Sequence, residues 1–246
     1  MEVHAHGHTP RKKWTHYFWE FFMLFLAVTL GFFVENQREH YVEHKRVKQY
    51  AFLLIQDLSK DTLELNERIN TRILYDLKKD SLLSYLDNNG EKKNGRYLYY
   101  YGNFALRYPI FISSDATFQQ LRNSGSLRFI QNISLYRSIT EYYKNVETIG
   151  LIDNISEYSS KAEEIFSLVF TASEMQKVDP GNTKNEAKIP PYDPPLMTYD
   201  PQIINQLKHY VHIYVKRSRG LLRGHIKNKQ QAIQLITDLK NEYHLK

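Results

Sequence analysis

WTHYFWEFFMLFLAVTLGFFV, Trp14 to Val34, decides the architecture: this run carries one charged side chain, Glu20, near its start. The hydrocarbon core of a bilayer takes roughly 20 residues of helix at about 1.5 Å each, so the length fits a single crossing. From Phe21 to Val34 only Thr29 and Gly31 are not plainly apolar. A helix of this segment has no polar face on which to lie flat in the interface, and it is expected to cross. Both tryptophans of the chain, Trp14 and Trp19, gather with Tyr17 at one end, where an aromatic belt would sit at head-group level. Glu20 lies about one turn inside that belt, where a carboxylate can snorkel or protonate; at mid-bilayer it would cost on the order of 3 kcal/mol. Trp14, Tyr17, Trp19 and Glu20 are thus the expected membrane-interface residues, with Glu20 facing head groups or a second membrane helix.

Two other readings compete with a span. A buried core helix is one, because the strictly apolar run is short. A cleaved secretory signal is the other, since Arg11, Lys12 and Lys13 resemble a basic n-region. The run closes on Gly31, Phe32, Phe33, Val34 and Glu35, with bulky side chains where a signal peptidase needs small ones, so an uncleaved signal anchor is expected. The lysine and arginine counts on the two flanks nearly tie, so orientation rests on export of the larger part: N terminus cytoplasmic, C terminus on the far side of the membrane.

Ahead of the span, residues 1–13, MEVHAHGHTPRKK, form a short polar tail with His4, His6 and His8 at alternate positions. Imidazoles so spaced can share a metal when the chain is extended, but no carboxylate or cysteine is placed to close the shell. Behind the span, 42% hydrophobic and 24% charged residues in a chain of 246 are the balance of one ordinary globular domain. The absence of cysteine excludes a disulfide framework, Cys-based zinc sites and thiol nucleophiles.

The segment following Val34, ENQREHYVEHKRVKQY, has neither Gly nor Pro, so the span should continue as one helix. Tyr50, Leu54, Leu58, Leu65, Ile69, Ile73 and Leu77 give it an apolar stripe, with Asn88, Asn89 and Gly90 as its stop. Within it, His40-Tyr-Val-Glu43-His44 has the H-x-x-E-H form of inverted zinc peptidases, and His40 and His44 share a helix face as a metal pair must. A catalytic zinc needs a third protein ligand and a shielded cavity. Only Glu141 or Glu147, about a hundred residues on, could supply that ligand, and the stretch has little apolar cover. A solvated juxtamembrane helix is the expected state, with no metal and no cofactor.

Residues 91–109, EKKNGRYLYYYGNFALRYP, read as a loop and a short helix packed on the bundle, their tyrosines capping a core. In SSDATFQQLRNSGSLRFIQNISLYRSITEYYKN, Ser113 to Asp115 offer an N-cap, Ala116–Asn123 a short helix with Phe118 and Leu121 inward, and Gly125 a left-handed stop. Asn132 should cap one long helix with a stripe of Ile133, Tyr136, Ile139 or Thr140, Tyr143, Val146, Ile149, Ile152, Ile155, Tyr158, Ala162, Ile165 and Val169.

The basic tail, the run EFFMLFLAVTLGFFVENQRE, the long helix and T-F-Q-Q-L-R-N-S-G-S-L-R-F-I followed by a Y-Y-K helix together resemble a family of uncharacterised single-pass membrane proteins of Bacteroidota, a domain of unknown function. The likeness is tightest at Glu20 to Glu39 and Thr117 to Ile130. It implies an inner-membrane protein with a helical ectodomain, and it implies no activity and no functional residues.

Residues 173–201 hold six of the eight prolines and are expected to be an extended surface connector. The last helix starts at Pro201 with Asp200 as cap and buries Ile204, Leu207, Val211, Tyr214, Leu222, Ile226, Ile233, Ile236 and Leu239. Gly220 and Gly224 within it mark a close contact or a kink. From Lys208 onward it carries nine Lys and Arg against Asp238 and Glu242, a balance of +7. Complementary packing against the acidic middle helix, with Glu141, Glu147, Asp153, Glu157, Glu163 and Glu164, is the expected use; a nucleic-acid partner is not expected, since no binding motif accompanies the charge.

The expected fold is therefore all-α: one transmembrane helix continuing into a long helix, plus an irregular three- to four-helix bundle ectodomain. Its parts are the tail 1–13, the span 14–34, a helical ectodomain 35–172, a Pro-rich connector 173–200 and a basic C-terminal helix 201–246. The expected role is that of an interaction or structural module of the envelope without catalysis. A ligand-sensing ectodomain working with a partner subunit is the alternative, and the zinc peptidase comes third. The lipid bilayer is the first partner; a membrane or periplasmic protein and a second copy of the chain both remain open.

Overall fold

The computed structural model describes residues 14–87, 94–153, 156–179, 181 and 187–245. It is all-α, and among the described residues there is no strand. Seven α-helices run in order α1 (Trp14–Asp87), α2 (Gly95–Gly102), α3 (Ala116–Asn123), α4 (Ile133–Asp153), α5 (Ser156–Val169), α6 (Ala172–Val178) and α7 (Pro201–Tyr243), with a 3-10 turn at Ser126–Phe129. Two compact units divide the chain, Met1–Gln49 and Tyr50–Lys246, so the boundary falls inside α1 and not at the end of the apolar run. The connector and α7 belong to the same unit as the other helices.

In the first unit α1 is helical from Trp14 onward, and its apolar window has a mean hydropathy of 1.9 with none of it buried. It is long and apolar enough to cross a membrane. Thr29 Oγ1 donates to the Phe25 carbonyl at 2.8 Å, which satisfies the one hydroxyl of Phe21–Val34 within its own helix.

In the second unit α7 packs along α4 and α5. The α1 segment joins them through Leu54, Leu58 and Leu65, each essentially without exposed surface. A fully buried leucine stabilises a fold by roughly 2 kcal/mol, so these three alone anchor the segment. Beyond Ile69, however, the buried face departs from the expected stripe: Ile73 is 42% exposed and Leu77 59% exposed, while Arg72, Asp76 and Lys79 lie inside. Steps of four residues advance about 40° around a helix with 3.6 residues per turn. Ile73 and Leu77 are thus carried off the face that Ile69 occupies. The face itself continues through 72, 76 and 79 to Leu82 and Leu86.

The other two stripes also depart in part from the expected ones. On α4 the buried side chains are Leu135, Ile139, Tyr142, Tyr143 and Val146, whereas Ile133 and Tyr136 are exposed. On α7 Ile204, Leu207, Val211 and Leu239 are buried as expected, but Ile226 and Ile233 are exposed, and Val215, Ser218, His225, Asn228, Ala232 and Leu235 take the inner face. The expected helix from Ile133 to Val169 is helical over Ile133–Asp153 and Ser156–Val169, and residues 154–155 between them lie outside the described residues. Ile152, Ile155 and Tyr158 of its stripe lie outside the residues whose side chains are described, as do Asn88, Asn89 and Gly90.

The caps follow the sequence more closely. Asn132 Oδ1 accepts from Leu135 N at 3.1 Å, and Asp200 Oδ1 accepts from Gln202 N at 2.8 Å with Pro201 at the first helical position. Gly125 has φ 67°, as a left-handed stop requires. At α3 the expectation is corrected: Asp115 is the N-cap residue but its side chain makes no cap bond. The carboxylates come from α1, with Asp61 Oδ1 accepting from Ser114 N at 2.6 Å and Asp57 Oδ2 from Thr117 N at 3.2 Å. Four residues apart on one helix, Asp57 and Asp61 present two charges to the positive end of another.

The far end of the second unit is closed by a core of Leu82, Leu86, Tyr99, Ala105, Val169, Phe170, Val178, Leu196, Ile204, Leu207 and Val211. Tyr99 is wholly buried there, its hydroxyl donating to the Pro195 carbonyl at 3.1 Å and accepting from Thr171 N at 3.1 Å. The tyrosine-rich segment is thus a packing element, as expected. Its Gly95 is required by a close approach, since a Cβ there would fall 1.9 Å from the Pro194 carbonyl oxygen. The connector is less extended than expected: its start, Ala172–Val178, is α6, and Met197 N returns to the Val169 carbonyl at 3.0 Å.

Candidate functional site

The residues expected at a membrane interface all lie on the first turns of α1, and all are exposed: Trp14, Tyr17, Trp19 and Glu20. His16 Nε2 stands 3.0 Å from Glu20 Oε1, one turn away on the same face. Polar side chains that pair in this way shield a carboxylate close to an interface.

The His40 and His44 pair is solvent-facing, and His40 Nδ1 lies 4.0 Å from Glu43 Oε2. Among the described residues no group of three His, Cys, Asp or Glu side chains could hold a metal ion. His4, His6 and His8 lie outside the described residues.

The basic face of α7 finds its acids on α1: Arg219 pairs with Asp80 at 2.5 Å and Lys208 with Asp87, while Lys229 Nζ donates to Asn66 Oδ1 at 2.8 Å. Toward α4 one side-chain hydrogen bond from α7 is between amides, Asn145 Nδ2 donating to Gln231 Oε1 at 3.2 Å. Glu141 and Glu147, two of the acids expected to face this basic helix, are exposed on α4, and the ion pairs of Arg219 and Lys208 run to α1.

The feature that reading for apolar stripes misses is a buried polar layer between α1 and α7. Arg72 Nη2 donates to the Pro109 carbonyl at 2.9 Å and its Nη1 to Ser218 Oγ at 3.4 Å. Lys79 Nζ donates to the Arg107 carbonyl at 2.9 Å and sits 3.6 Å from Asp76 Oδ1. Both cations thus hold down the irregular segment 107–112, whose carbonyls have no helix to bond within. Burial pulls the Lys79 pKa down, with Asp76 opposing it. Burying such groups costs several kcal/mol each unless paired, so this layer fixes one arrangement of the segment more than it adds stability. The sequence does hold a signal for it: 72, 76 and 79 continue the period of Leu65 and Ile69 and rejoin Leu82 and Leu86.

No family model, curated protein or solved structure matches this chain.

His225 belongs to the same layer. It is 1% exposed, and burial, helped by the charge of Arg72, lowers its pKa from 6.5 to about 4, so the ring is neutral at pH 7. Its ring meets Phe111 edge to face with centroids 6.1 Å apart. Both line a cavity of about 360 Å³ between segment 108–112, α4 and α7, together with Tyr108, Ile110, Val146 and Ile149. Gly224 lets the helices meet beside it, because a Cβ there would fall 2.7 Å from Ile149 Cδ1, whereas Gly220 faces open space.

Proposed function

We propose that the chain is a single-pass membrane protein, anchored by Trp14–Val34 with its N terminus in the cytoplasm, whose helical ectodomain serves as an interaction or structural module of the bacterial envelope. The observation that carries this reading is the exposed apolar surface of α1: the whole of its apolar window lies uncovered. Leaving that area in water is costly at roughly 25 cal/mol per Å² of apolar surface, and a bilayer removes the cost. The resemblance to single-pass membrane proteins of Bacteroidota supports the same placement. In the ectodomain, two buried cations and two carboxylates are spent on holding loops and caps, the use expected of a rigid scaffold. Such a module works through partners, either membrane or periplasmic proteins or a second copy of itself. The test is a pull-down of the tagged full chain from detergent-solubilised membranes. A stoichiometric partner retained through washing is expected; recovery of the chain alone and monomeric would overturn the interaction role.

A further inference from the structure

The two buried cations of α1 hold a segment whose outward side is apolar. Along 108–112 the side chains alternate: Pro109 and Phe111 are buried, while Tyr108, Ile110 and Ile112 are exposed, the last at 75%. Arg72 and Lys79 fix this stretch through the carbonyls of Pro109 and Arg107, so the apolar row is presented on a held backbone. Segment 108–112 shares its cavity of about 360 Å³ with α4. On the α4 side Gly150 leaves open space where a side chain would stand, and the next residue, Leu151, is 72% exposed. Protruding apolar side chains and a hollow thus lie on one face. Apolar side chains gathered in the open in this way mark a contact surface.

We propose that this face pairs with the same face of a second copy of the chain about a two-fold axis, with Leu151 of each copy seated at the cavity mouth of the other. A two-fold contact uses one patch twice, so the patch must complement itself. Here it does so in shape, because the protruding Leu151 stands directly beside the hollow it would fill in a neighbour. It does so in charge as well. Lys144 and Glu147 are exposed on α4, and at three and seven residues' spacing Lys144, Glu147 and Leu151 share a side of that helix. Neither charge has an ion partner among the described residues. A two-fold contact at Leu151 sets Lys144 of one copy against Glu147 of the other, and does so twice. Two copies held in one bilayer also share a plane and an orientation, which raises their effective concentration, so a contact of modest size suffices. In that last respect the pairing rests on the membrane-anchored interaction module proposed above; the self-complementary face does not.

The experiment is thiol cross-linking of the full chain in native membranes. The sequence has no cysteine, so one introduced thiol reports one position. Treated with a short bismaleimide, Ile112→Cys and Leu151→Cys should each give a covalent homodimer, at least about tenfold more than Leu63→Cys on α1 or Met197→Cys in the connector, which are exposed elsewhere. In the Leu151→Cys chain, Lys144→Glu should cut the dimer yield at least about threefold, because it sets like charges against each other in both halves of the contact. Adding Glu147→Lys should restore the yield, since the reversed pair is again complementary. All four substituted positions of the face are exposed, so the helical signal in circular dichroism should be unchanged. Three results would each overturn the pairing: yields at 112 and 151 no higher than at 63 and 197, a product whose mass is not twice that of the chain, or a double charge swap that fails to restore the dimer. Alkaline carbonate extraction of the same membranes reads the anchor separately. Release of the chain into the supernatant contradicts the membrane reading, while the cross-linking pattern still decides the pairing.

Discussion

Asp61 offers the sharpest test of how α1 organises the second unit. Its carboxylate is 1% exposed and accepts from the Tyr142 hydroxyl at 2.7 Å and from Ser114 N at 2.6 Å, so one residue ties α1 both to α4 and to the entry of α3. Asp61→Ala removes two charge-assisted bonds, each worth roughly 1.5–3 kcal/mol, and strands the buried Tyr142 hydroxyl. Against that loss stands the relief of no longer burying a carboxylate, which is why burial raises its pKa. The balance is a destabilisation of about 3 kcal/mol, with about 1 kcal/mol for Asp61→Asn, which keeps an acceptor for Ser114. Tyr142→Phe should cost about 1.5 kcal/mol, and the double variant should fall short of the sum by about 1 kcal/mol, since both singles break the same bond. Urea unfolding of the fragment Asn36–Lys246, followed by circular dichroism, reads all four. The reasoning would be refuted by an Asp61→Ala variant within about 0.5 kcal/mol of the parent, or by strict additivity with Tyr142→Phe.

Three further outcomes follow from particular residues. Gly95→Ala should destabilise by about 2 kcal/mol or more, because its Cβ would fall 1.9 Å from a backbone oxygen that cannot swing away. Gly125→Ala should cost only about 1 kcal/mol, because φ is 67° but nothing lies within 4 Å of the added carbon; equal melting of these two variants would contradict the geometry at both sites. Acidification should destabilise through His225: its folded pKa is depressed, so its contribution is complete above pH 6.5 and is lost as pH falls through about 4, up to about 3 kcal/mol. Asp61 works the other way. Its folded pKa is raised, so its contribution is complete below 3.8 and fades as pH rises through the folded value. A His225→Phe variant with a flatter stability profile between pH 6.5 and 4 is the expected result, and a profile identical to the parent's would remove His225 from the account.

Much of the architecture was legible because it rests on local signals. Asn132, Asp200 with Pro201, and Gly125 each act within a few residues of their own position, and each sits where its residue type requires. The apolar run at Trp14–Val34 is legible for the same reason: composition alone sets its length and lack of a polar face. What the spacing does not give is phase and partnership. Ile73 and Leu77 on α1 and Ile226 and Ile233 on α7 fit an apolar spacing yet are exposed; the inner positions belong to Arg72, Asp76 and Lys79 on α1 and to His225, Asn228, Ala232 and Leu235 on α7. Arg72, Lys79 and Asp61 are buried only because carbonyls at 107 and 109, an amide at 114 and a hydroxyl at 142 come to meet them. Such partners are far apart in sequence, and no window along the chain contains both. The cavity at His225 was invisible for the same reason, being assembled from segment 108–112, α4 and α7.

The proposed topology, in which Trp14–Val34 anchors the chain with everything beyond it outside the cytoplasm, is tested most directly by fusing, after Lys246, a tandem reporter that fluoresces only in the cytoplasm and has phosphatase activity only in the periplasm. High phosphatase activity in dark cells is the predicted result; bright cells without phosphatase activity would contradict it.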